Sequence, residues 1–150
     1  MELKDELKVE RYKFILQEIH SLNANIHKYI TLFQILTTAI IGAIVFVLIN
    51  WKKLDVPIEI AKIGIRGLYG LLVIVAAFII FSILSGIFSW FDYRKEEVEL
   101  LNKAVGDGFR KSPRLSNLWR WYEPYIILFV AIIVLTVIIY TEKIIIPLIR

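Results

Sequence analysis

"YITLFQILTTAIIGAIVFVLIN", residues 29–50, runs for 22 residues without a formal charge. An α-helix rises about 1.5 Å per residue, so roughly 20 residues cross a hydrocarbon core of ~30 Å. Two further stretches pass the same test: residues 67–91, which are 25 long, and residues 122–141, which are 20 long with Glu123 at their edge. The bilayer core has no water to satisfy a backbone, so only a helix or a closed barrel can span it. Continuous apolar runs lack the alternation of barrel strands. The expected fold is an all-α integral membrane protein with three transmembrane helices, 29–50, 67–91 and 122–141, in a single membrane domain.

Composition agrees. The chain is 58% hydrophobic with a mean hydropathy of +0.68, against about 45–50% apolar residues in soluble domains. It has no cysteine, which excludes disulfides and thiolate metal sites. Two histidines are too few for an all-histidine metal site, and neither a metal nor a cofactor is expected. A net charge of +4 and a pI near 9.3 would suggest nucleic acid for a soluble protein. In a membrane protein the same excess marks loops that face anionic lipid, so the expected partner is the lipid bilayer and not nucleic acid.

Lys and Arg set the expected orientation. Five precede residue 29 and seven lie in 92–121, against six in 51–66 and beyond 141. The richer side is expected to be cytoplasmic, in a cell inner (plasma) membrane. That places the N-terminus and the 92–121 connection inside and the C-terminus outside. No signal peptide is visible in the first 28 residues, so the first span is expected to remain as an anchor. Trp51 at the outer level and Trp90, Trp119, Trp121 and Tyr122 at the inner level suit the headgroup zone, where amphipathic rings collect.

Residues 1–28 read as a cytoplasmic amphipathic helix. Its apolar seam, Tyr12, Ile15, Ile19, Leu22, Ile26, Tyr29 and Phe33, advances by alternating steps of three and four, a heptad pattern. No Pro or Gly interrupts it at the boundary, so one helix continuous with the first span is expected. Residues 92–121 form a helical and basic connection. Helical spacing through Val98, Leu101 and Val105 prolongs the second span, "GDG" at 106–108 breaks it, and Arg110, Lys111 and Arg114 are candidate headgroup or phosphate contacts. On the outer side Pro57 is expected to start a helix, with Lys62 and Arg66 reaching toward water.

Within the spans, two sets of residues stand out. In the second, Ser82, Ser85, Gly86 and Ser89 form a small-residue stripe of the kind that lets helices approach closely. In the first, His20, His27, Thr31, Gln34, Thr38 and Gly42, with Ala24, stay within about 40° of one line at ~100° per residue. This line would either hydrogen-bond helices together or line a narrow conduit with histidines at its cytoplasmic mouth. No nucleophile, base or metal-ligand constellation accompanies it, and no charge sits at the centre of a span; an enzyme is not expected.

In layout, a charged N-terminal helix, tightly linked spans and little extracellular mass, the chain resembles small multi-span membrane effectors of bacterial immune systems, the SMODS- and SLOG-associating two-span (SLATT) type, with three spans in place of two. The resemblance implies a homo-oligomeric inner-membrane effector or channel-like protein that perturbs or permeabilises the membrane when assembled or activated, in antiphage defence. The alternative is a non-catalytic membrane anchor that docks a soluble cytoplasmic partner.

Overall fold

A computed structural model of the chain describes residues 3–106 and 108–149. Helix α1 spans Leu3–Asn50 and α2 spans Ile58–Val105. A 3-10 turn at Leu115–Arg120 precedes α3, Glu123–Tyr140, which runs into a π-helical segment, Thr141–Ile145, and a final turn α4, Ile146–Leu148. No strand occurs among the described residues. Three of these helical runs are long and apolar enough to cross a membrane.

The breaks have local causes. α1 has no proline and only Gly42; Asp5 and Glu6 in its first turn complement the positive end of its dipole. The chain turns after Asn50 through Asp55, which adopts a φ of 53°, and Pro57 accepts the first bond of α2 from the Ala61 N–H at 3.0 Å. α2 stops where Gly106 takes a φ of 122°, followed by Gly108 at 87°. Residues with a Cβ rarely tolerate that region.

The chain divides into two compact units. The first holds the residues up to Lys28 together with Ser82–Pro124. There α1 and α2 run antiparallel: Arg11 meets Glu96 and, three residues further along α1, Phe14 meets Tyr93, three residues back along α2. Ile15, Ile19 and Ile26 of α1 and Ile83, Ile87, Phe91 and Val98 of α2 are buried. The second unit holds Tyr29–Phe81 and the residues from Tyr125 on. Its buried residues are Phe33, Ile40 and Ile44 of α1, a ridge of Ile65, Leu72 and Ile79 seven apart on α2, and Val130 and Val134 of α3. The heptad seam is thus the face of α1 that the chain itself covers, with Tyr12, Leu22 and Tyr29 half-buried.

Much apolar surface stays uncovered. Ile74 is 68% exposed and Phe81 70%. The third helical run also outlasts the apolar stretch 122–141. Glu142 and Lys143 end the charge-free composition but not the helix, because the Ile146 N–H donates to the Thr141 carbonyl and carries the backbone onward.

Candidate functional site

α1 turns the seam inward and leaves the polar line outside. His20, Ala24, His27, Thr31, Gln34, Thr38 and Gly42 are all exposed, while Ile19, Ile26, Phe33, Ile40 and Ile44 are buried. A helix that is apolar nearly all round therefore presents an amide and hydroxyls on an uncovered side. Next to this line, Thr37 is only 8% exposed, and its hydroxyl oxygen is buried with no hydrogen-bond partner among the described residues. Gln34, Thr37 and Thr38 share a groove of about 250 Å³ with Ile126, Phe129 and Ile133 of α3. At this level Gln34 and Thr38 therefore border apolar residues of the same chain.

The histidines have separate surroundings. His27 stacks on Tyr122 with centroids 6.3 Å apart and planes 20° apart, which ties the start of the apolar stretch of α1 to the approach to α3. Tyr122 belongs with Trp90, Phe91 and Trp121 in an aromatic group at the same level. The Trp121 ring lies 4.3 Å from Trp90, edge-on, and 5.3 Å from Phe91, stacked. Trp121 therefore packs within the unit as a half-buried side chain, whereas Trp119 is 75% exposed. Trp51 is half-buried with the Lys52 ammonium 5.1 Å from its ring centroid.

Around this group lies a cavity of about 320 Å³ whose walls include Trp90, Arg94, Arg120, Trp121, Tyr122 and Glu123. Glu123 opens α3 and is 7% exposed, and its Oε2 is buried with no partner among the described residues. A second opening, of about 540 Å³, is bordered by Phe88, Phe91, Lys95 and Arg114.

The basic connection is held by a buried acid. Glu97 has no exposed surface; Arg94 donates to its Oε2 at 2.5 Å and Arg110 to its Oε1 at 2.7 Å. Arg110, a candidate headgroup contact, donates to Glu97 and so ties the segment after Gly108 to α2, while its side chain stays 43% exposed. Lys111 and Arg114 remain exposed. Arg11 makes a two-pronged bond to Glu96 at 2.6 and 2.9 Å, and that bond holds the guanidinium above its ordinary pKa. In the other unit, Arg66, expected to reach water, donates to Glu142 at 3.0 Å, and the Tyr69 hydroxyl donates to the same carboxylate at 2.6 Å.

The small-residue stripe marks no tight approach within the chain. Ser85 is exposed, Ser82, Gly86 and Ser89 are half-buried, and a Cβ on Gly86 would meet no heavy atom within 4 Å. The α2 ridge that packs is isoleucine and leucine. Four functional groups are not evident from the sequence pattern: Glu97, Thr37, Glu142 and the buried oxygen of Glu123. Each depends on a neighbour distant in sequence or on the lack of one. Only Glu97 has a local signal, an Arg three residues earlier. Among the described residues no group of three His, Asp or Glu could hold a metal ion.

Comparison with known proteins matches the chain to no family model, no curated protein and no solved structure.

Proposed function

We propose that the chain is a multi-pass inner-membrane protein that assembles with copies of itself through its first span, and that the assembly perturbs the bilayer when formed or activated. The N-terminus and the 92–121 connection face the cytoplasm in this reading, which is non-enzymatic. The observation that carries it is the exposure of Gln34 and Thr38 on a helix whose other face is already covered. Hydrocarbon offers such groups no partner, and a second copy does, at about 0.6–2 kcal/mol per interhelical hydrogen bond. The apolar α3 side of the groove favours hydrogen-bonded contact between copies over a water-filled bore at the level of Gln34. The layout shared with SLATT-type effectors supplies antiphage defence as the setting.

Reconstitution into nanodiscs followed by subunit counting tests the assembly. A stable oligomer is expected; a monomer at every protein-to-lipid ratio sinks the proposal. Induced expression with a membrane-potential dye tests the consequence, with depolarisation expected once the protein is inserted and assembled.

A second reading, an anchor that docks a soluble partner, draws on the charged part of α1. Leu7 and Val9 are 58% and 45% exposed there, outside the apolar stretch. Capture of a soluble protein by residues up to Lys28, with unchanged membrane potential, would favour it.

A further inference from the structure

The cavity at the start of α3 brings a buried carboxyl oxygen that lacks a hydrogen-bond partner among the described residues together with an exposed guanidinium. Glu123 is more than nine-tenths buried and its Oε2 has no donor among the described residues. Buried polar atoms are rarely left without a partner, and an ionised oxygen is the costlier case. On the same walls stands Arg120, exposed and in no ion pair among the described residues. Arg94 also lines the cavity, but Glu97 and the Trp90 face, 5.2 Å from its guanidinium carbon, already engage it. The vacant chemistry is therefore one buried carboxyl oxygen that lacks a donor and one guanidinium open to an anion, on walls that also carry Trp90, Trp121 and Tyr122.

We infer that this cavity binds the headgroup of a zwitterionic phospholipid carrying a primary ammonium, a phosphoethanolamine. Its phosphate takes Arg120, since guanidinium forks suit phosphate oxygens. Its ammonium takes Glu123, and the broad terminal torsion of glutamate lets the carboxyl rotate Oε2 toward it. The methylene linker lies along Trp90, Trp121 and Tyr122, whose faces also attract the cation. A quaternary ammonium satisfies those rings equally but has no N–H to give Oε2, so ethanolamine is selected over choline. A volume near 320 Å³ stands at the small end of ligand sites and suits a headgroup whose tails stay outside. The inference rests on the bilayer-inserted reading of the chain.

The test uses the full chain in nanodiscs containing phosphatidylethanolamine, phosphatidylcholine and phosphatidylglycerol in equal parts, with retained lipid measured by native mass spectrometry. Phosphatidylethanolamine should be retained over the other two by about tenfold, the scale of one charge-assisted hydrogen bond. Glu123→Gln should reduce its retention to that of phosphatidylcholine, and Arg120→Ala should lower the retention of both. Arg120 is exposed, so its variant keeps the test open if Glu123→Gln fails to fold. Displacement by free phosphoethanolamine would assign recognition to the headgroup alone, and retention without displacement would assign it to the lipid; both support the site. Equal retention of the ethanolamine and choline lipids by the wild type, or unchanged selectivity in a folded Glu123→Gln, overturns it. Carbonate extraction checks insertion separately. If the chain proves soluble the membrane reading fails, and calorimetry with free phosphoethanolamine then decides the cavity on its own.

Discussion

Arg110 reaches back thirteen residues to place its guanidinium 2.7 Å from Oε1 of Glu97, a carboxylate with no exposed surface. The bond closes the turn made by Gly106 and Gly108 and fixes where the segment after α2 begins its return. Arg110→Ala leaves Oε1 to find water while Arg94 keeps the other oxygen. A loss of about 1.5–3 kcal/mol is expected, the value of a hydrogen bond to a charged group. Hydrogen exchange should report it as faster exchange at 109–120 with little change in 58–90; uniform protection in the variant would show that the clamp does not hold this segment.

Two glycines of α2 and its end should respond in opposite directions. Gly86 sits mid-helix in open space, so Gly86→Ala should stabilise the isolated subunit by about 0.5–1 kcal/mol. At Gly106, with φ at 122°, Gly106→Ala should cost roughly 1–3 kcal/mol. Thermal midpoints in detergent check both. If Gly86→Ala also weakens the oligomer, the small-residue stripe is a contact between copies.

Thr37 and Gln34 separate covered from shared polarity. Thr37→Val removes a hydroxyl that has no partner among the described residues and should be neutral or stabilising by about 1 kcal/mol. Gln34→Leu removes the exposed amide and should dissociate the proposed assembly without unfolding the subunit. Sedimentation in detergent distinguishes these. An oligomer unchanged in Gln34→Leu would remove this line of α1 from the interface.

Arg66, Tyr69 and Glu142 form a partly exposed cluster, with Arg66 at 51% and Glu142 at 33% side-chain exposure. Screening shortens to about 3 Å at 1 M salt. Glu142→Gln should therefore lower the thermal midpoint at low ionic strength, with the difference at least halved in molar salt. Tyr69→Phe, which deletes a neutral donor, should show no such salt dependence. Equal salt response in both would mean the Arg66 bond does not contribute as an ion pair.

The helices were legible because their signals are periodic and local. Alternating steps of three and four from Tyr12 to Phe33 identify the covered face of α1, and "GDG" marks the end of α2. The ion pairs were not legible, since Arg110–Glu97 and Arg66–Glu142 depend on which helices lie side by side, and charge content alone reads as solvated surface. Composition marks the end of an apolar stretch, not the end of the third helical run. Glu142 and Lys143 end an apolar stretch, but the hydrogen-bond ladder is indifferent to charge when a partner such as Arg66 accommodates it. The residues of α2 that are fully covered beside the small-residue stripe are bulky, Ile79, Ile83 and Ile87, which the spacing of small residues does not reveal.

The π segment has a consequence for how this protein tolerates changes in length. Its bond from Ile146 back to Thr141 spans one residue more than an α turn, so the backbone there already holds a surplus residue. Removing one position between 141 and 145 would restore ordinary α bonding, yet rotate Ile145, Ile146 and Ile149 off the face they now bury. The end of the third helical run is thus sensitive to residue count more than to residue type. Conservative replacements there should be silent, and single deletions should not.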